Sequence, residues 1–313
     1  MRQELLVIDR KDTQLEISSG RLTVRIAEQK PISIALAPLE RIIIATPVQL
    51  SSQLLNRLAS YNLSIVFLPN HQTHTACWVL PSSHGDHQRR LQQYALCSDS
   101  QQQNALAYLI VRQKLLGQKR NLLRWQKQFL ASKSQLQQAV NTLNTSLEQL
   151  SPTAAKNTLM GLEGAAASTY FQGIAAMLGE SYGFKGRNRR PPKDPINSVL
   201  SLSYTLAQQE AETALTAYGL DTGLGVLHSP SYGRASLGCD LVELLRPLID
   251  SWVIQLFVEK QLLVDHFYYQ DEACLLGKAG REHYFKAWAA IRQQIKRRCH
   301  KIVRASLKLR HLQ

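Results

Sequence analysis

Pro81-Ser82-Ser83-His84-Gly85-Asp86-His87 divides the 313-residue sequence into two textures. The stretch is polar and carries both proline and glycine, the composition of an exposed, irregular connection, so a domain boundary is placed between residues 85 and 86. Upstream, from Leu5 to about Leu80, apolar residues recur with a period of two: Leu22, Val24 and Ile26 alternate with polar residues, as do Ile32, Ile34 and Leu36. Ser18-Ser19-Gly20 supplies a turn between two such runs. Ile42-Ile43-Ile44 and the run from Leu63 to Leu68 read as short buried strands, with helical spacing between them at Leu54, Leu55 and Leu58. Downstream the chain is rich in Leu, Ala, Gln, Lys and Arg in long helical patterns. The expected fold is α+β: a β-rich domain over residues 1–85, then a larger all-α domain over residues 86–313.

The chain carries 37 Lys+Arg against 23 Asp+Glu, a net +14 with a pI of about 9.7. Its hydrophobic fraction of 44% excludes the class of disordered, highly charged chains. The charge is clustered. Residues 281–313 hold ten basic residues against one acid, Glu282, and Lys185, Arg187, Arg189, Arg190 and Lys193 crowd a Gly- and Pro-containing loop. Two such clusters point to a polyanion, with DNA or RNA favoured over a membrane surface. The N-terminus has no secretory h-region, and no apolar run approaches the roughly 20 residues of a membrane span. Five cysteines without a C-x-x-C pair fit a reducing compartment, so a cytoplasmic protein is expected.

Three acids and a histidine stand out as candidate chemistry. Glu163 shares a helical face with Leu159, Met160, Ala166 and Ala167, where an ionised carboxylate needs exposure or a cation. Residues 223–237 form a Gly-punctuated loop that delivers His228 and Arg234 before a new helix, with Ser236 as the expected N-cap. Asp240 and Glu243, three apart, project to one side of that helix and invite a cation. Glu163, His228, Asp240 and Glu243 together are an oxygen and nitrogen donor set that suits Mg²⁺ or Mn²⁺ better than structural zinc. A rival zinc set, His71, His74, Cys77, His84 and His87, matches no established finger spacing. Neither a P-loop nor a G-x-S-x-G elbow occurs.

Several short motifs then fall in a specific order: Leu5-Val7-Ile8-Asp9 with Pro38-Leu39; Gly161-Leu162-Glu163-Gly164; Asn188-Arg189-Arg190-Pro191-Pro192 with Asp194-Pro195-Ile196-Asn197; Leu227-His228 with Gly233-Arg234 and Ser236-Leu237; and Asp240-Leu241-Val242-Glu243 with Arg246-Pro247 and Asp250. In this order and spacing the chain resembles the CRISPR-associated adaptation integrase, the family of the first-numbered Cas protein, along nearly its whole length. The resemblance implies an N-terminal domain that makes a homodimer and a helical domain with a divalent-metal site, Mg²⁺ or Mn²⁺. Glu163, His228 and Glu243 would be ligands, Asp240 a further catalytic acid, and Arg234 with Lys185, Arg187, Arg189 and Arg190 the contacts to DNA phosphates. The implied reaction is transesterification: the 3′-hydroxyl of a protospacer duplex attacks a phosphodiester at a CRISPR repeat, in a complex with the small second Cas protein. Two other readings stay open: a metal-dependent nuclease acting on branched DNA in repair, and a non-catalytic nucleic-acid-binding module.

Overall fold

A computed structural model describes residues 5–39, 41–61, 63–68, 76–79, 87–188 and 190–309. The chain divides into two compact units, Met1–Ser83 and His84–Gln313, and the boundary segment 81–86 lies outside the described residues.

The first unit is built on two sheets. Strands β1 (Leu5–Ile8), β5 (Arg41–Ile44), β6 (Ser64–Phe67) and β7 (Cys77–Val79) form one, parallel from β1 to β6 with β7 antiparallel at the edge. Strands β2 (Gln14–Ser18), β3 (Arg21–Arg25) and β4 (Ile32–Ala35) form an antiparallel meander. Ser19 and Gly20 both have positive φ, which makes the two-residue turn between β2 and β3 possible. Helix α1 (Ser52–Ser60), capped by the Ser51 hydroxyl, buries Leu54 and Leu58 in a core with Leu22, Val24, Ile42, Ile44 and Ile65. The alternating and the continuous apolar runs thus meet in one core, as their two periodicities require.

The second unit contains α2 (His87–Ser98), α3 (Ser100–Gln128), α4 (Lys133–Gln149), α5 (Lys156–Leu178), α6 (Pro195–Ala217), α7 (Ser236–Val258) and α8 (Lys278–Leu309). Helix α3 packs against α4, α5 and α7, while α6 lies between α7 and α8. The larger domain is helical as expected, and it also carries one small hairpin. Strands β8 (Phe267–Gln270) and β9 (Ala273–Leu276) form a hairpin between α7 and α8, turned by Asp271 and Glu272 in positive φ and tied to the loop before α6 by Cys274 N–H donating to the Pro192 carbonyl at 2.7 Å. Four residues a side, set between two long helical patterns, are too short to register as strands by periodicity.

The basic C-terminal segment continues as helix to Leu309. Trp288, Ile295, Cys299 and Val303 are buried, and Lys286, Arg297, Lys301, Arg304 and Lys308 are exposed. Among the described residues, no helix is long and apolar enough to cross a membrane.

Candidate catalytic centre and its basic cleft

Three helices of the second unit each bring one charged side chain to a common point. Lys114 of α3, only 2% exposed, donates its ammonium to Glu163 Oε1 of α5 and, at 2.5 Å, to Glu243 Oε2 of α7. Arg246, one turn beyond Glu243, bonds its other oxygen, Oε1, at 3.0 Å. The cation that the apolar face around Glu163 demanded is therefore Lys114. Burial pushes the Glu243 carboxyl up, but Lys114 and Arg246 more than offset this and hold it at about 2. His228 adds a smaller lowering.

The α3–α7 contact that sets this geometry is made by small and rigid residues. Pro247 has no N–H to donate to the Glu243 carbonyl one turn earlier, and its own carbonyl accepts from Asn121 Nδ2 at 2.6 Å. Asn121 also donates to the buried Tyr170 hydroxyl at 3.1 Å.

Among the described residues, Asp240 is the acid that holds His228. Asp240, 1% exposed, accepts the backbone N–H of Val226 (2.6 Å), Leu227 (3.0 Å) and His228 (2.9 Å), and its Oδ1 accepts the His228 Nδ1–H at 2.7 Å. Both Asp240 oxygens are thereby engaged, which fixes the tautomer and leaves His228 Nε2 as the open donor atom. Asp240 positions the histidine, whereas Glu243 faces Lys114, so the two acids three residues apart serve different partners. Gly225 permits the wrap: a Cβ there would stand 2.5 Å from the His228 carbonyl oxygen. Beyond His228, the Ser229 carbonyl accepts from Ser236 Oγ at 3.0 Å and from Arg234, and Lys156 Nζ lies 3.4 Å from Ser229 Oγ. Ser236 is thus the first residue of α7 and closes this loop, not its N-cap; Ala235 occupies that position without a side-chain bond.

On the other side of Glu163, away from Lys156 along α5, opens a cavity of about 550 Å³. Lys114, Lys185, Arg187 and Arg246 line it together with Gln118 and Asn188. Arg187 is fixed there, its guanidinium bonding Asn197 Oδ1 (2.7 Å) and Ser201 Oγ (3.0 Å). The loop that carries it is locked in turn: Asp194 caps α6 by accepting Asn197 N–H at 2.8 Å, Asn188 Oδ1 accepts Lys193 N–H at 2.9 Å, and Asn197 Nδ2 donates to the Gly186 carbonyl at 2.8 Å. Arg246 and Arg187 both stand over the Tyr204 ring, at 4.7 and 5.5 Å. The Tyr204 hydroxyl donates to Asp250. Burial pushes the Asp250 carboxyl up to about 6, against the Tyr204 hydrogen bond and the Arg246 charge, which pull it down. Among the described residues, Gln118 Oε1, Arg246 Nε and Asp250 Oδ2 are buried without a hydrogen-bond partner.

The sequence candidates sort accordingly. Glu163 and Glu243 meet through Lys114; His228 and Asp240 meet each other; Lys185 and Arg187 reach the cavity wall. Arg190 is exposed, Arg234 spends Nε and one Nη on its own loop, and Arg189 lies outside the described residues. Of the rival zinc set, Cys77 lies on β7 and His87 opens α2, both exposed, and His71, His74 and His84 lie outside the described residues. Among the described residues, no three His, Cys, Asp or Glu side chains converge closely enough to hold an ion as they stand. The donors still suit a hard divalent cation: two carboxylates from different helices drawn to one positive charge, beside an imidazole whose tautomer is set. Sequence reasoning missed Lys114 and Gln118, which sit in an ordinary-looking stretch of α3. The only signal was a lysine at a position of helical phase shared with Val111 and Leu115, both fully buried.

A family model described as CRISPR associated protein Cas1 matches residues 6–290. A CRISPR-associated endonuclease Cas1 of Thermodesulfovibrio yellowstonii is 31% identical over 290 residues, covering 92% of this chain and 91% of the relative. Among solved structures, a casposase bound to integration product has a TM-score of 0.76 at 19% identity, covering 92% of this chain and 82% of that one. A chain of a Cas6-RT-Cas1–Cas2 complex has a TM-score of 0.81 at 22% identity, covering 98% of this chain and 35% of that one. Both structural likenesses are of fold, with strands first and a larger helical region after.

Proposed function

Because the chain belongs to the Cas1 family, we propose that it is a metal-dependent DNA integrase and endonuclease of CRISPR adaptation, joining protospacer 3′-hydroxyl ends to a CRISPR repeat. The observation that carries the reading is the meeting of Glu163 and Glu243 at Lys114 on a cavity walled by Lys185, Arg187 and Arg246, with the Asp240-oriented His228 delivered by the loop before α7. The integration product named for the casposase and the Cas2 named in the complex support the same chemistry and partner.

Glu163, His228 Nε2 and Glu243 would hold Mg²⁺ or Mn²⁺, which would activate the attacking hydroxyl and stabilise charge on the leaving oxygen. The chain's own residues supply the rest. Asp240 keeps Nδ1 protonated, so that Nε2 is presented as a lone pair. Lys185, Arg187 and Arg246 draw the phosphodiester of the entering strand into the cleft without reading its bases. Seven residues before Glu163 on the same face of α5, about 10 Å away, Lys156 marks the strand's path on the opposite flank. The exposed basic stripe of α8 would hold flanking duplex. The working unit is a homodimer joined to the small second Cas protein, in the cytoplasm.

The test is strand transfer with the full chain, its small partner, a labelled duplex with 3′-hydroxyl ends, a supercoiled plasmid bearing a repeat, and Mn²⁺ or Mg²⁺, alongside His228→Ala. Joined label that needs both the metal and His228 is the expected result. Cutting without joining would favour the repair nuclease, and binding without either would favour a non-catalytic module.

A further inference from the structure

The geometry points to Lys114 as a built-in counter-cation that holds Glu163 and Glu243 together until a divalent ion replaces it, and that then turns its ammonium toward the phosphate of the bound strand. The inference rests on the metal-dependent reading above.

Lys114 is not an ordinary buried ion pair. Its ammonium bridges two carboxylates from different helices, both candidate ligands, and its side chain is only 3% exposed. Without a cation, two carboxylates at such close quarters repel, and neither would stay both ionised and in place. Arg246 does not perform this task, because it reaches Glu243 alone and is pinned over the Tyr204 ring. A guanidinium so fixed is a permanent part of the wall. An ammonium on a four-carbon stem can exchange.

The charges make that exchange reasonable. Glu163 and Glu243 face Lys114 and Arg246, and Asp240 backs His228, so these five charged side chains sum to one net negative charge. A divalent ion turns this to one net positive charge, which a single phosphodiester neutralises. Lys114 also lines the cavity with Lys185, Arg187 and Arg246, so the direction open to a displaced ammonium is where the phosphate would lie. Ion and phosphate should therefore favour each other's binding, and by linkage the coupling must be reciprocal.

The test uses the full chain with Mn²⁺, whose binding is read by electron paramagnetic resonance, together with acetylation of wild-type lysines mapped by mass spectrometry. Lys114→Met should melt lower without the ion, yet bind Mn²⁺ about tenfold or more tightly, because one unit charge is removed from beside it. In the wild type, Lys114 should resist acetylation without Mn²⁺ and react at saturating Mn²⁺, a readout that does not depend on the variant's folding. A short duplex should tighten Mn²⁺ binding in the wild type and not in Lys114→Met. Equal or weaker Mn²⁺ binding by the variant, or a Lys114 still protected at saturating Mn²⁺, overturns the inference. If the wild type binds DNA but no Mn²⁺, the metal-dependent reading falls first and takes this inference with it.

Discussion

Gly117 on α3 lies directly against Pro247 on α7: a Cβ at Gly117 would stand 2.7 Å from Pro247 Cγ and 2.8 Å from its Cβ. The contact sits one turn past Lys114 and one turn past Glu243, so it sets how closely those two side chains approach. A rigid proline ring cannot yield to a methyl group. Gly117→Ala should cost about 1–3 kcal/mol through overpacking. It should also slow strand joining on the order of tenfold to a hundredfold, since small displacements at a reacting centre are expensive. Thermal melting and single-turnover assays check both, and a variant with wild-type rate would show that the helix spacing is not critical.

Asp240 acts through His228, so Asp240→Asn should weaken Mn²⁺ binding about 10- to 100-fold, the usual effect of losing a partner behind a ligand, and should lower the melting temperature, because an amide nitrogen cannot accept the two N–H groups that one carboxylate oxygen takes. Asp240→Ala should lower the melting temperature further, because all three backbone N–H groups then lose their acceptor. If Asp240→Asn binds the ion normally, the positioning role is wrong.

Stability should respond to acid in two opposed ways. Asp250 is raised to about 6, so the folded chain keeps this proton to higher pH than the unfolded chain, and the stability it contributes is complete below about pH 4 and lost as pH rises through 6. Glu243 is held at about 2, so its contribution is complete above about pH 4.5 and lost as pH falls toward 2. Urea unfolding across pH 4 to 7 should show that Asp250→Asn flattens the fall in stability. An unchanged slope would count against it.

Far from the centre, Arg292 Nε of α8 bonds Glu210 Oε1 of α6 at 2.7 Å, with both residues buried. Arg292→Met breaks this buried ion pair and should cost about 3–5 kcal/mol. Circular dichroism melts of wild type and variant decide this, and a change of a few tenths of a kcal/mol would contradict it.

Lys185 is exposed on the cavity wall, whereas Arg234 is spent on its own loop. Lys185→Ala should therefore weaken duplex binding for all sequences alike and reduce the salt slope by about one. Arg234→Ala should instead loosen the Ser229 turn and disturb His228. Fluorescence anisotropy at several salt concentrations separates the two, and equal effects on the slope would undo the distinction.

Much of this was legible from the chain alone. The period-two runs at Leu22–Ile26 and Ile32–Leu36 became β3 and β4, and the helical spacing of Leu54 and Leu58 became α1, because each local pattern matches the face it buries. The hairpin of β8 and β9 escaped notice because four-residue strands carry almost no periodicity.

The site divides along the same line. Glu163, His228, Asp240 and Glu243 could be picked out because each stands in a local context that makes its charge or ring conspicuous. Their partnerships could not. Spacing on one helix suggested that Asp240 and Glu243 act as a pair, but their side chains turn to a loop and to α3. Lys114 bonds Glu163, 49 residues away, and Glu243, 129 residues away. Local sequence specifies periodicity, caps and charge; contacts over such separations exist only once α3, α5 and α7 pack, and it is that packing, with Gly117 against Pro247, that decided which cation faces which acid.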